Sequence, residues 1–230
     1  MGTIKQGILG GFSGKVGTVV GGTWKTVHYM RALATNYNDP HTEKQLCQRG
    51  KFGIALNFLK TITPFVRVGY RGYAQDMSAY NAAMSYIMKN AMTGCGDSVA
   101  IDYKKVLVSH GSLMPVFNAE ASVSSDKISF TWVDNSDTGD AEAADLSMLL
   151  AYNKDKGEAV YNVASAHRSA AKAELAIPSG WKDDSLAVYL GFCSPNSRNV
   201  SNSICLSDTP VSGGTGGGGT EGGGEEENPL

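Results

Sequence analysis

From residue 99 onward the sequence alternates between apolar and polar residues in short runs, and this period of two most constrains the fold. The runs are KVLVSHG, NAEASVS, KISFTWVD, LSMLLAYN, EAVYNVA, AKAELAI, LAVYLGFC and SNSICLS. Turn-forming segments such as SSD, DNSDTGD, NKDKGE and SPNSRN separate them. About seven strands at this spacing within about 100 residues predict two antiparallel sheets packed as a sandwich.

The aromatic residues of these runs indicate which kind of sandwich to expect. Trp132 lies on the second predicted strand of the sandwich core, where it can serve as the central aromatic anchor. Leu175 and Tyr189 occupy positions that such folds turn inward. The segment IPSGWKDDSLAVYLGF resembles the L-x-P…Y stretch of fibronectin modules. Residues 99–207 are therefore predicted to form an immunoglobulin/fibronectin-III-like β-sandwich.

The glycine-rich start of the chain invites comparison with a nucleotide-binding loop. The segment GGFSGKVGT contains a Gly-Lys pair, but a P-loop would need glycine where Leu9 stands and a hydroxyl where Val16 stands. The following residues instead alternate on both sides of Gly21-Gly22. This pattern predicts a β-hairpin around that glycine pair, with no phosphate site.

Helical periodicity follows between residues 42 and 92. Thr42 and Gln45 form a capping box, and Phe52, Leu56 and Leu59 fall on one predicted apolar stripe. A short helix begins at Thr63-Pro64. A third helix runs from about Ser78 to Met92, with an apolar face formed by Tyr80, Met84, Ile87 and Ala91.

The predicted fold class is therefore α+β, with three parts. Residues 1–98 form the glycine-rich β-hairpin and helical region, residues 99–207 form the β-sandwich domain, and residues 208–230 form a disordered Gly-rich acidic tail. The tail is similar to the partner-recruiting tail of bacterial single-stranded DNA-binding proteins. The candidate partner-contacting residues of the tail are Glu225, Glu226, Glu227, Pro229 and Leu230.

The basic charge is concentrated at the front of the chain. Residues 1–71 carry ten Lys/Arg against Asp39 and Glu43, and residues 1–36 hold no acid at all. A polyanion or a protein partner could contact this region. The candidate contact residues are Lys5, Lys15, Lys25, Arg31, Arg49 and Lys51, with Trp24, Tyr29 and Tyr37 available for stacking.

The chain offers little that is typical of an enzyme or a metalloprotein. Its four cysteines and four histidines are scattered without C-x-x-C spacing, and no triad-like set is signalled. We predict no catalytic residue, no cofactor and no metal. Cys193 and Cys205 fall on adjacent predicted strands and are interpreted as buried thiols. With no secretory signal and no membrane-spanning segment, we expect a cytoplasmic protein, or one released as part of a particle.

Several segments resemble an uncharacterised family of Bacteroidota proteins, a domain of unknown function. They are GILGGFSGKVGTVVGGTWK, DPHTEKQLCQRGKF, TPFVRVGY and AYNAAMSYIMKNA, followed by FTWVDNS, YLGF and VSNS, and the similarity covers roughly residues 2–206. The N-terminal part is also similar to a pattern in phage-encoded proteins, a G-K-x-G hairpin followed by N-P-R-T-x-x-Q. Here Asp39 precedes Pro40, and His41 replaces the arginine. The resemblance implies no activity and, at most, an association with phages or mobile elements.

These observations favour a non-enzymatic structural or interaction protein, and one candidate role is that of a phage, virion-like or mobile-element particle component. The expected partner is another protein or a second copy of the chain, since no small-molecule substrate is identified. The alternative is a nucleic-acid-binding protein that uses the basic N-terminal region. A third hypothesis is glycan binding by the sandwich.

Overall fold

The computed structural model describes residues 2–4, 7, 10–24, 27–34, 36, 39, 41–73, 77–124, 126–182, 184–196 and 198–207. The chain divides into two compact units, Met1–Thr42 and Glu43–Leu230. The first contains a four-stranded antiparallel sheet, and the second contains three α-helices followed by several antiparallel sheets. The chain is therefore a mixed α+β protein, as its sequence predicts.

The first unit is a meander of neighbouring strands. The strands are β1 (Thr3–Ile4), β2 (Phe12–Val16), β3 (Val19–Trp24) and β4 (Val27–Ala32), and they pair in sequence order. β2 and β3 are joined by a turn in which Gly17 has a φ of 57°, a left-handed conformation that suits glycine. Antiparallel β-structure is confirmed in this region, but the predicted hairpin turn at Gly21-Gly22 is wrong because both glycines lie inside β3.

The second unit begins with the helix α1 (Glu43–Thr61), which places Thr42 at its N-cap position. Its buried residues are Ala55, Phe58 and Leu59, whereas Phe52 and Leu56 are exposed. The predicted stripe was therefore wrong in two of its three members. Two different faces of α1 carry apolar residues at helical spacing. The buried face includes the small Ala55, and a search for large apolar residues overlooks it.

Two further helices follow, α2 (Thr63–Gly69) and α3 (Ala79–Asn90). Pro64 occupies the first turn of α2, where a missing N–H is tolerated. The Ser78 hydroxyl caps α3 by accepting a 3.2 Å hydrogen bond from the Asn81 backbone N–H. The predicted apolar face of α3 is confirmed for Met84, Ile87 and the adjoining Ala91, which are buried, whereas Tyr80 is half-buried.

In the part of the chain that the structure describes, nine strands follow the helices. They are β5 (Met92–Thr93), β6 (Ala100–Ile101), β7 (Phe117–Val123), β8 (Lys127–Val133), β9 (Leu146–Asn153), β10 (Glu158–Asn162), β11 (Lys172–Ala176), β12 (Leu186–Cys193) and β13 (Ile204–Ser207). β5 pairs with β6, and the others form a four-stranded sheet in the order β10-β9-β12-β13 and a three-stranded sheet in the order β11-β8-β7. Seven of the eight predicted runs contain these strands. KVLVSHG is the exception, because Tyr103–Lys105 form a 3₁₀ turn and no strand follows before β7 among the described residues.

The four-stranded sheet is buried on both faces. Along β12 the side chains of Ala187 and Tyr189 join the core formed with the helices, whereas Leu186, Val188 and Leu190 join the core shared with the three-stranded sheet. The unit therefore has three layers: helices, the four-stranded sheet and the three-stranded sheet. The helices share a core with the sheets that follow them in the sequence.

The predicted anchor residues separate between the two cores. Trp132 is buried between the two sheets, with its ring edge-on to Phe192 at a centroid distance of 5.3 Å, and Leu175 joins the same core. Tyr189 instead faces the helices and donates a 2.8 Å hydrogen bond to the carbonyl of Tyr103. The inward positions of Trp132 and Leu175 are confirmed. Tyr189 is buried, but not between the two sheets.

Candidate functional site

The N-terminal sheet brings two of the predicted basic residues into one row. Lys15 on β2 pairs with Val20 on β3, and Val20 pairs with Arg31 on β4. Paired residues of neighbouring strands point to the same face of a sheet. Lys15 and Arg31 therefore flank Val20 on one face, about 10 Å apart across two strand spacings. Both basic side chains are exposed.

Two aromatic residues share this face. β3 and β4 pair without a bulge from Val19 to Trp24, so Trp24 and Tyr29 have the same orientation as Val20 and Arg31. The exposed fraction is 65% for Trp24 and 47% for Tyr29. We call this surface, formed by Lys15, Val20, Trp24, Tyr29 and Arg31, the aromatic-basic face.

Gly22 allows Tyr29 to lie against the sheet. A Cβ atom at Gly22 would stand 2.9 Å from Cζ and from the hydroxyl oxygen of Tyr29, closer than a side chain tolerates. The phenol therefore covers the backbone of the neighbouring strand, and its outer surface faces away from the sheet. Glycine inside a strand is typical of such close approaches.

The opposite face of the same sheet is mainly apolar. Its apolar members come from the alternate positions of the strands: Ile4, Phe12, Val16, Val19, Met30 and Ala32. Thr23 and His28 lie on the same face, with 2.9 Å between Oγ1 of Thr23 and Nδ1 of His28. Ile4, Val16 and Met30 are exposed to 53%, 53% and 71%. Gly21 makes room for Phe12, because a Cβ at Gly21 would stand 2.3 Å from the Phe12 carbonyl oxygen and 2.5 Å from its ring. We call this surface the apolar face.

A second candidate lies in the helical unit, where three tyrosines surround His110. The ring of Tyr73 stacks on His110 at a centroid distance of 4.4 Å, and Tyr70 and Tyr86 approach within 6.0 and 5.7 Å. Nδ1 of His110 lies 2.7 Å from the carboxamide oxygen of Asn202 and donates to it in the tautomer that this acceptor favours. Burial, then Tyr86 and Tyr73, raise the pKa of Tyr70.

These rings border a cavity of about 240 Å³, a volume smaller than that of most ligand pockets. Tyr70 donates to the carbonyl of Leu107 at 2.9 Å, so its hydroxyl is held in a structural contact. Packing and hydrogen bonding account for Tyr70 and His110. The cluster has no signature in the sequence, because the spacing of its tyrosines and histidine matches no known motif.

A larger cavity of about 600 Å³ opens at one end of the sheets, between the loop from β8 to β9 and the loop from β12 to β13. Its lining includes Asp137, Asp140, Glu142 and Arg198. Beneath it, Arg168 is fully buried and donates from Nε to Asp145 at 3.1 Å and from NH1 to Asn135 at 2.7 Å. The guanidinium therefore joins the loops to the core rather than facing a ligand.

The comparisons place the chain in a family. The family of unknown function DUF6266 matches residues 11–207. The chain belongs to this family. The match takes in β2 to β4 of the first unit and all three layers of the second unit. No curated protein matches the chain, and no solved structure does.

The structure places the sequence-predicted residues of this DUF6266 member in three groups. Lys15 and Arg31 come together on the aromatic-basic face. Arg49 and Lys51 lie on α1 in the other unit, where Arg49 is exposed and Lys51 is half-buried. The remaining candidates fall outside the described residues: Lys5, Lys25, Tyr37, Glu225, Glu226, Glu227, Pro229 and Leu230.

The four cysteines divide into one disulfide, which the sequence does not predict, and two thiols outside it. Cys47 on α1 is disulfide-bonded to Cys95, which follows β5. Cys193 and Cys205 lie on adjacent strands and form no disulfide. Cys193 is buried as predicted, whereas Cys205 is only half-buried. Across the described part of the chain no group of three or more His, Cys, Asp or Glu side chains is arranged to hold a metal ion. No helix in that part is long and apolar enough to cross a membrane.

Proposed function

We propose that this DUF6266 member is a non-enzymatic structural or interaction protein that associates through the apolar face of its N-terminal sheet. The observation that carries the proposal is the exposure of Ile4, Val16 and Met30 on one face of that sheet. Contiguous exposed apolar surface on a soluble protein is typical of an interaction site. The occupant that we propose is the same face of a second copy, because a two-fold dimer pairs identical patches.

In this proposal the second unit is the structural support for the N-terminal sheet. We assign its strands β7 to β13 to the immunoglobulin/fibronectin-III-like sandwiches. Strands β7 to β13 form two antiparallel sheets that share a core around Trp132. Each sheet takes strands from both halves of this segment, which supports a Greek-key connection of the kind found in these modules. Such modules act widely as rigid frames for binding surfaces.

The resemblance to Bacteroidota proteins and to phage-encoded N-terminal patterns supports a particle component, and we propose that role. The Cys47–Cys95 disulfide favours release from the cytoplasm, since structural disulfides persist mainly in oxidising surroundings.

Light scattering with a point variant tests self-association. We expect the wild-type chain to show a mass above that of the monomer, increasing with concentration. Met30→Glu should return it to the monomer, because a desolvated charge on the apolar face opposes pairing. Lys172→Glu, an exposed change on β11, is the matched control and should leave the mass unchanged. A wild-type chain that is monomeric at every concentration would exclude self-association.

The aromatic-basic face favours a second function, nucleic-acid binding by the N-terminal region. Lys15 and Arg31 stand on one exposed face, and the first 36 residues hold no acid to repel a phosphate. Fluorescence anisotropy with labelled oligonucleotides tests this function. Binding should weaken steeply as salt rises, because each neutralised phosphate releases counterions. Absence of binding even at low salt would exclude it.

A further inference from the structure

The spacing of aromatic residues on the aromatic-basic face distinguishes single strands from duplexes. Gly22 is the direct partner of Tyr29, and Trp24 is the direct partner of Val27. Trp24 and Tyr29 are therefore diagonal neighbours, with anchor points about 7–8 Å apart. A duplex keeps successive bases about 3.4 Å apart and hides their faces in the stack. Two rings at this separation can each receive a base only from an unstacked, extended strand.

The shape of the face suits stacking as well. Tyr29 lies across Gly22, so the ring presents a surface instead of projecting as an isolated side chain. Trp24 stands on the neighbouring strand with about two thirds of its area exposed. Exposed aromatic rings on a β-sheet are the elements on which RNA- and DNA-binding sheets stack bases, and stacking tolerates any base.

The charges lie where the backbone of such a strand would pass. The row that holds Lys15 and Arg31 is two residues along the strands from the row of Tyr29, a distance of about 7 Å. A base on Tyr29 would therefore place an adjoining phosphate within reach of both cations. The sheet and the rest of residues 1–36 carry no carboxylate, so the face and a phosphate backbone are complementary in charge.

We propose that the aromatic-basic face binds single-stranded nucleic acid, with successive bases stacked on Trp24 and Tyr29 and the backbone held by Lys15 and Arg31. The proposal rests on the nucleic-acid-binding function proposed above. It restricts the ligand to single strands that are recognised by base stacking. It uses the face opposite to the apolar face, so it is compatible with self-association.

Tryptophan fluorescence gives a readout specific to this face. Trp132 and Trp181 are 5% and 2% exposed, whereas Trp24 is largely exposed. The full chain is titrated with an oligothymidylate of about 15 nucleotides, an oligouridylate of the same length and a duplex of the same length. We expect saturable quenching by both single strands and weaker binding of the duplex. The oligothymidylate and the oligouridylate should differ in affinity only if the site distinguishes DNA from RNA.

Variants then separate stacking from charge. Tyr29→Ala should weaken oligothymidylate binding by about 5- to 150-fold, the effect typical of one lost stacked base. Tyr29→Phe keeps the ring and should keep the affinity within about twofold. Lys15→Glu should lower both the affinity and the dependence on salt. Lys172→Glu, on the other unit, should change neither.

The outcomes that overturn the proposal are distinct. Equal binding of duplex and single strand, unaffected by Tyr29→Ala, would leave nucleic-acid binding standing and exclude stacking on this face. Equal losses in Tyr29→Ala and Tyr29→Phe would also exclude it, since the ring would then not be the contact. Absence of quenching and of binding at low salt would overturn both the inference and the second function, while leaving self-association untouched.

Discussion

At the scale of the residue, the least predictable feature is Arg168. Its side chain is fully buried, bonded to Asp145 and Asn135, and placed 4.3 Å above the ring of Phe192. Its own carbonyl accepts a 2.8 Å hydrogen bond from the indole of Trp132. The sequence predicts Trp132 as an anchor because large aromatics are usually buried. It gives no sign of Arg168, because burial of an arginine depends on partners that are distant in the chain.

Removing one member of this buried pair should destabilise the second unit strongly. Asp145→Ala leaves the guanidinium of Arg168 without its carboxylate, and such a change typically costs about 3–5 kcal/mol. Burial already lowers the pKa of Arg168, and Asp145 opposes that effect. Chemical denaturation monitored by circular dichroism measures the loss of stability.

A paired replacement is the control for this prediction. Asp145→Leu combined with Arg168→Met removes both charges together and should cost less than the sum of the two single changes. Additive single and double changes would show that the two side chains do not act as a pair.

At the scale of the element, glycines determine the position of the turn and the strand packing of the N-terminal sheet. Period-two alternation correctly predicts β-structure here, but it places the turn at Gly21-Gly22, whereas the chain turns at Gly17 and Gly21-Gly22 lie inside β3. The error is physical: glycine serves both turns and close approaches, and only the fold shows that Phe12 covers Gly21. The faces of the sheet follow from that register, so the sequence indicates the basic and aromatic residues but not their separation from the apolar ones.

Gly21→Ala should loosen this sheet, because the new Cβ would collide with the backbone and ring of Phe12. We expect faster hydrogen exchange of the β2 and β3 amides, with the second unit unchanged. Gly53→Ala is the matched control, since nothing lies within 4 Å of a Cβ at this helical position. It should stabilise α1 by up to about 1 kcal/mol. Unaltered exchange in Gly21→Ala would contradict the close packing of Phe12.

The disulfide of α1 yields a separate prediction at this scale. Cys47→Ser should lower the stability of the second unit by about 2–4 kcal/mol, because the bond closes a loop between residues 48 positions apart. Adding a reductant to the wild-type chain should give the same loss. Cys205→Ser, at a cysteine outside the disulfide, should show little response to reductant beyond that of the wild type. Four alkylated thiols in the protein denatured without a reductant would contradict the disulfide.

At the scale of the whole molecule, the chain combines a small sheet with a three-layer unit. The sequence predicts the α+β class and the strands β7 to β13, but not β1, β5 or β6. It does not predict that β9 and β12 are buried on both faces. The alternation inferred for these runs is typical of a sheet with one face exposed to solvent. The helices form the third layer and pack on the four-stranded sheet. The sequence does not predict this contact, because the change from helical to two-residue periodicity suggests two separate regions.

The second unit should therefore fold without the first. Residues 43–207 contain both hydrophobic cores in full. We expect this fragment to unfold in one cooperative transition, at a temperature within a few degrees of the main transition of the full chain. Calorimetry measures both. A fragment that is unfolded at room temperature would show that residues 1–42 contribute to the stability of the cores.

Hydrogen exchange of the full chain at low and at high protein concentration tests association through the N-terminal sheet most directly. The account predicts that peptides covering β2 to β4 become protected as the concentration rises, whereas peptides covering β9 and β12 exchange at the same rate throughout. Met30→Glu should abolish the difference. Exchange of β2 to β4 that is independent of concentration in the wild-type chain would contradict the central claim.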